Sequence, residues 1–251
     1  AMALLLASAM WYVPECLNNG FWFIKEFILY QVDLLLNPVA GHGQPFYYHF
    51  VVVLIGCFPI SIFALPSIIN KSGDAADRYM KALFWVVMIV FSIVTTKIIH
   101  YSSLVYFPLS YLAARSIANG SFLKWRKFHH ILYWVIGSAL SLLFVLLPIG
   151  LMNPDIIAPL FSKDPFALAC LSSPMRWYGW EWSIGIVYFS AVVYGWRQWR
   201  ALEWKRLGLT YALGLGITFL GYSAFVLKNI ESFSQGPHIT MLDELKGQDV
   251  Y

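Results

Sequence analysis

The chain has 251 residues, 59% of them hydrophobic and 12% charged, with a net charge of +4. A soluble domain carries about 25% charged residues, and a sphere of this size cannot hide so much apolar side chain from water. The small positive balance gives nucleic-acid binding no support. The apolar residues come in blocks of about 20, the length at which a helix crosses the hydrocarbon core. The ten-residue dyad alternation of a membrane β-barrel is absent. The expected fold is therefore all-α: a polytopic membrane protein of about seven transmembrane helices.

In chain order, residues 1–13 read as the end of a helix whose beginning lies outside the sequence. The segment 14–46 contains FWFIKEFILYQVDLLLN. At 100° per residue, Glu26, Tyr30, Asp33 and Asn37 share one sector, opposite Phe23, Ile24, Phe27 and Ile28. That pattern predicts an amphipathic helix over about 21–37, lying in the membrane interface. Glu26 and Asp33 form a paired-carboxylate candidate or a solvated face. A span over 47–66 follows. Residues 82–117 are too long for one span and are interrupted by TTKIIHY, so they predict two helices, 82–96 and 101–117. Further spans fall at 129–151, 183–199 and 207–227. Between the first two of these, Asp164 followed by Pro165 is an N-cap and first-turn pair, predicting a short helix. Residues 228–251 read as a polar tail, the start of an extracytoplasmic region after a transmembrane domain over 1–227.

Lysine and arginine orient the helices. The loops around 71–81, 115–127 and 197–206 hold eleven of the seventeen, and the positive-inside rule places them in the cytoplasm. The segments 14–46, 97–100 and 152–182 then face outward. A single tilted helix over 82–117 would invert the later basic loops. Cys16, Cys57 and Cys170 have no metal-like spacing; Cys16 and Cys170 share a side and are the one pair that could bridge. No protease, redox or nucleotide motif is present.

Polar groups at membrane depth are costly, about 2.5–3.5 kcal/mol for a charge at the centre of a span on insertion scales. They gather on the outer side. The stretch Gly41-His42-Gly43-Gln44-Pro45-Phe46-Tyr47-Tyr48-His49 is either a ligand-contacting lip or a Gly/Pro turn with an aromatic belt. Lys97 and His100 are three residues apart and would share one face of a helix. That cationic pair suits a lipid phosphate; the alternative is a turn whose lysine snorkels to the interface. Arg176 beside its tryptophans reads as a sugar contact or an interface anchor.

These residues resemble the family 39 type of membrane glycosyltransferases, which includes protein O-mannosyltransferases and lipid A aminoarabinose transferases. The resemblance rests on Glu26-Phe27, then Gly41-His42, Pro45-Phe46 and Tyr48, then Phe58-Pro59. A second block, FSIVTTKIIHYSSLVYFP over 91–108, supplies Lys97, His100 and Tyr101. Together they cover roughly 10–117. The resemblance implies a GT-C-like fold in a bacterial inner membrane, with its active face extracytoplasmic. It implies transfer of a sugar from a polyprenyl-phosphate carrier to a glycan, lipid or protein acceptor, with no metal assigned. Lys97, His100, Tyr101, His42, Glu26 and Tyr48 would line the carrier-phosphate site. The family's arginine after the Glu-Phe pair is replaced by Asp33 and leucines. The external loop with the catalytic acid is not in this sequence, so the chain is expected to be a fragment or a degenerate homologue, and its catalytic residue is unknown. A non-catalytic membrane subunit and a lipid or solute transporter are the competing readings.

Overall fold

A computed structural model of the chain describes residues 2–37, 43–70, 73–171 and 175–246. The described residues are helical, and their only β-type pairing is an isolated antiparallel bridge between Gly43 and Thr96. The chain divides into two compact units, Ala1–Tyr133 and Trp134–Tyr251.

In the first unit, α1 (Met2–Asn19) runs on well past residue 13, through Pro14. Gly20, at φ 80°, turns the chain into α2 (Trp22–Leu36). This is the amphipathic helix expected over 21–37, and none of its residues is buried. The Asn37 amide donates to Asp33 Oδ1 at 2.7 Å, confirming that the two share a face.

The span expected over 47–66 is two helices, α3 (Tyr48–Gly56) and α4 (Ile60–Ile69). Pro59 has no amide hydrogen to donate and its ring blocks a continuous helix. The Ser61 hydroxyl closes the break by donating to the Leu54 carbonyl at 2.6 Å. Helix α4 buries seven of its ten residues, from Ser61 to Ile68, and packs on α6 (Tyr106–Ala118) through that unit's core. Ile62, Ala64, Val105 and Leu112 have no exposed surface there.

Helix α5 (Ala75–Ile93) starts earlier than the apolar pattern suggests, because Asp74 and Asp77 form a reciprocal capping box. It ends before the TTKIIHY interruption, and a 3-10 helix, Ile99–Val105, leads into α6. The two-helix reading of 82–117 therefore holds, with the break at 94–98. At the far end of α5, Arg115 grips Asp77 through two hydrogen bonds of 2.7 and 2.8 Å and reaches Asp74 at 3.0 Å. The Tyr111 hydroxyl adds a bond to Asp77 at 3.1 Å. That guanidinium holds the Asp77 carboxyl down at about 2.

After a 3-10 turn, Ser121–Trp125, α7 (Arg126–Met152) runs on beyond the first unit. The second unit continues with α8 (Pro154–Ile157) and α9 (Pro165–Leu171), the latter capped by Asp164, whose Oδ1 accepts from Ala167 N at 3.0 Å. Helices α10 (Ser183–Arg200) and α11 (Trp204–Gly221) pack together. At Gly214 any Cβ would overlap that of Ala191, so glycine is what lets them approach. A π-helical turn, Tyr222–Leu227, continues into α12 (Lys228–Ser234) and α13 (Gly236–Glu244), so the expected polar tail is helical through Glu244. All three cysteines are free thiols.

Among the described residues, two helices are long and apolar enough to cross a membrane: Ser121–Met152 and Trp204–Glu231. Only 28% of each apolar window is buried, unlike the core helix of a soluble bundle. The other predicted spans are shorter, broken or more charged, so the count of seven is not reproduced by helix length alone. Along α7, Ile131, Val135, Leu142 and Leu143 are more than half exposed, an apolar surface that water would not tolerate over this length.

Candidate functional site

The site is built where the end of α2 meets the residues after α5. A helix leaves its last four carbonyls without intrahelical partners. Here a pair of threonines some sixty residues away satisfies two of those of α2, on Leu34 and Leu35, and the Asn37 carbonyl just beyond. Thr95 donates to the Leu35 carbonyl through its amide at 3.2 Å and its hydroxyl at 2.8 Å. The Thr96 amide donates to the Leu34 carbonyl at 3.2 Å, and its hydroxyl to that of Asn37 at 2.8 Å. The side chain that follows, Lys97, is 4% exposed. Its Nζ donates to the Val94 carbonyl at 2.6 Å. Burial pushes its ammonium below the ordinary lysine range. The side chain is thus folded back into the protein on its own chain rather than extended from the surface.

Residues 94–98 are not helical, so Lys97 and His100 do not share a helical face as expected. His100 is exposed while Lys97 is buried. They are linked through aromatic rings. His100 stands edge-on to Tyr101 at 5.2 Å, and Tyr101 lies 5.4 Å from Phe91. Phe91 lies 6.2 Å from the ring of His49 on α3. His49 also meets Tyr48 edge-on at 5.2 Å. It is within electrostatic reach of Lys97. Thus Lys97, Tyr101, Tyr48 and, at the rim, His100 belong to one cluster. Glu26 does not join it by contact: it is exposed on α2, about 12 Å of helix axis before Leu34. His42 and Gly41 lie outside the described residues.

His49, in the sequence one of several polar groups expected on the outer side, is given no role there. It has no exposed surface, and neither Nδ1 nor Nε2 has a hydrogen-bond partner among the described residues. A buried polar group left unpaired costs about 1–3 kcal/mol, so what the imidazole contributes to the fold comes from its ring contacts and not from its nitrogens. Its spacing, seven residues after His42 and just inside a helix start, was the only signal of it. Glu181 was also missed. It is fully buried, and its carboxylate accepts from the amides of Tyr178 at 2.7 Å and Gly179 at 2.9 Å. It closes the turn that launches α10 and is structural. Arg176 is exposed, and Asn229 holds its carbonyl at 2.9 Å. Among the described residues no cluster of His, Cys, Asp and Glu could hold a metal ion.

An all-helical chain with apolar helices and a buried cation at a helix junction fits a membrane enzyme or transporter equally well on geometry alone. The chain is 32% identical over 136 residues to the undecaprenyl phosphate-alpha-4-amino-4-deoxy-L-arabinose arabinosyl transferase of Wigglesworthia glossinidia brevipalpis. The match covers 50% of this chain and 24% of that protein, so the chain spans about a quarter of the length of that curated relative. The chain thus has a membrane glycosyltransferase as a relative. No family model and no solved structure matches it.

Proposed function

We propose that the chain is part of a multi-pass inner-membrane enzyme. This enzyme transfers a sugar from a polyprenyl-phosphate carrier to an acceptor on the extracytoplasmic side. The family 39 type of glycosyltransferase and the GT-C architecture are the specific form of this reading. The single observation that carries it is the buried Lys97 ammonium, bonded to a neutral carbonyl and set beside an imidazole with no partner.

The acceptor oxygen attacks the anomeric carbon, and the bond from that carbon to the carrier phosphate breaks. The electron pair leaves with the phosphate. A fixed cation at that oxygen stabilises the departing charge in a site of low dielectric. Lys97 supplies it. His49 donates a hydrogen bond to the same phosphate or to the sugar, which gives its nitrogens the partner they lack in the protein. Tyr48, Tyr101 and His100 form the aromatic rim, and His42 and Glu26 complete the outer lip. The acceptor's proton passes to a base that the described residues do not assign. The helix α2 lies in the outer interface, pinned by Thr95 and Thr96, and frames the carrier's entry.

The test is transfer by the full-length protein with a lipid-linked aminoarabinose donor. Lys97→Ala is expected to lose transfer by about 10²–10³-fold, the scale of removing one donor from a developing oxyanion. Lys97→Arg is expected to recover part of it. Unchanged turnover in Lys97→Ala discards the role.

A further inference from the structure

The second unit holds a cavity that the proposed chemistry does not use. Its volume is about 410 Å³, within the range of ligand pockets. One wall is α7, through Leu146, Leu147 and Leu151, and Ile230 on α12 forms another. These residues belong to Ser121–Met152 and Trp204–Glu231, the two helices long and apolar enough to cross a membrane. They lie near the C-terminal ends of those helices, so the cavity sits where the two spans end together.

The remaining wall is the segment between Pro154 and Leu171. It consists of α8, a 3-10 turn (Ala158–Phe161) and α9, of four, four and seven residues. Helices this short draw their stability from packing an apolar face. Yet α8 and the 3-10 turn bury no residue, and α9 buries Leu171 alone. Leu160, Phe161 and Phe166 are 80%, 41% and 62% exposed, and all three line the cavity. The segment therefore turns the face it needs to bury toward a hollow.

The lining decides what that hollow accepts. Among the described residues no charged side chain borders it. The Ser234 hydroxyl at its edge donates to the Ile230 carbonyl at 2.8 Å, which leaves the Cys170 thiol, a weak donor. Such a lining offers nothing to a sugar, an ion or a headgroup, and an apolar cavity of this kind stays dry. Hydrocarbon fits it. Leu146 and Leu147 are 51% and 39% exposed and continue the apolar surface of Leu142 and Leu143 along α7, so the mouth meets the lipid-facing side of that span. A pocket that selects by dispersion alone is filled by the chain in greatest supply. In a bilayer that is the acyl chain of a phospholipid.

We infer that one acyl chain of a bilayer phospholipid occupies this cavity and supplies the core on which residues 154–171 fold. The inference rests on the membrane placement in the reading above and is independent of its transfer chemistry. It requires no particular headgroup.

Cys170, a free thiol in the cavity wall, is the reporter. The full-length protein is stripped of lipid in a steroid detergent, which has no alkyl chain, and alkylation by N-ethylmaleimide is followed on the Cys170 peptide by mass spectrometry. Phosphatidylcholine and phosphatidylglycerol with the same acyl chains, each at ten times its dissociation constant, should both slow alkylation about tenfold. Glycerophosphocholine, a headgroup without chains, should not. Proteolysis between 154 and 171 should fall in parallel with the protection. Ala167→Phe adds a ring to the cavity wall and should keep Cys170 slow without lipid. Alkylation equally fast with and without phospholipid, or protection by only one of the two headgroups, would overturn the assignment. So would a Cys170 that stays unreactive in the stripped, unmodified protein, the behaviour of a groove covered by another part of the enzyme. Transfer by Lys97→Ala moves none of these readouts, so failure of the lipid site and failure of the transfer reading are told apart.

Discussion

Replacing His49 with phenylalanine separates stability from function at the proposed site. The imidazole is fully buried between Tyr48 and Phe91, and its two nitrogens have no protein partner among the described residues. Removing an unsatisfied buried polar group recovers about 1–3 kcal/mol. Phenylalanine keeps the ring and its edge-to-face contacts, and its slightly larger volume gives back part of that gain. For a chain of this size each kcal/mol moves the unfolding midpoint by about 2–4 °C. His49→Phe is therefore expected to raise the midpoint by about 2–8 °C while transfer falls. Thermal unfolding in detergent and donor turnover, measured on the same preparation of full-length protein, read both quantities. A lower midpoint would refute the reasoning, because it would mean that the nitrogens are bonded in the folded protein. A higher midpoint with full transfer would leave the burial argument standing and remove His49 from the site.

Other expectations follow from the packing. Asp77 is held at about 2 against an ordinary value of 3.8, so its pairing contributes stability above that ordinary value. The contribution is lost as pH falls from about 4 toward 2. Acid titration of the unfolding midpoint should show that decline in the native protein and a flatter curve in Arg115→Met. Gly214→Ala forces a Cβ into that of Ala191 and should cost about 1–3 kcal/mol. Ala191→Gly in the same chain should restore much of it, and a double-mutant cycle on unfolding measures the coupling. Asp164→Ala removes the cap of α9 and should cost about 1 kcal/mol, seen as faster proteolysis between 153 and 171.

Local signals in the sequence proved reliable. The Asp164-Pro165 pair marks α9, and the interruption at TTKIIHY marks the end of α5, because capping and helix breaking depend on neighbours in the chain. The start of α5 was missed since its capping box uses Asp77 where glutamate is usual. The break at Pro59 was missed because hydropathy averages over a window and prolines are tolerated within spans. The site was half legible. Lys97 was singled out by its charge in an apolar run. Its burial depends on Thr95 and Thr96 closing the end of α2, a contact between residues 59 and 60 apart. The partner of Arg115 is 38 residues away, and His49 gains its meaning only from Phe91 and Lys97. Periodicity and spacing carry no record of such pairings.

The account turns on whether a carrier phosphate comes to Lys97. A photoreactive polyprenyl phosphate, bound to the full-length protein and mapped by peptide mass spectrometry, measures this directly. Label concentrated on peptides containing Tyr48–His49 and Thr95–Tyr101, and reduced in Lys97→Ala, is the predicted result. Label confined to the second unit, or unaffected by Lys97→Ala, would contradict it.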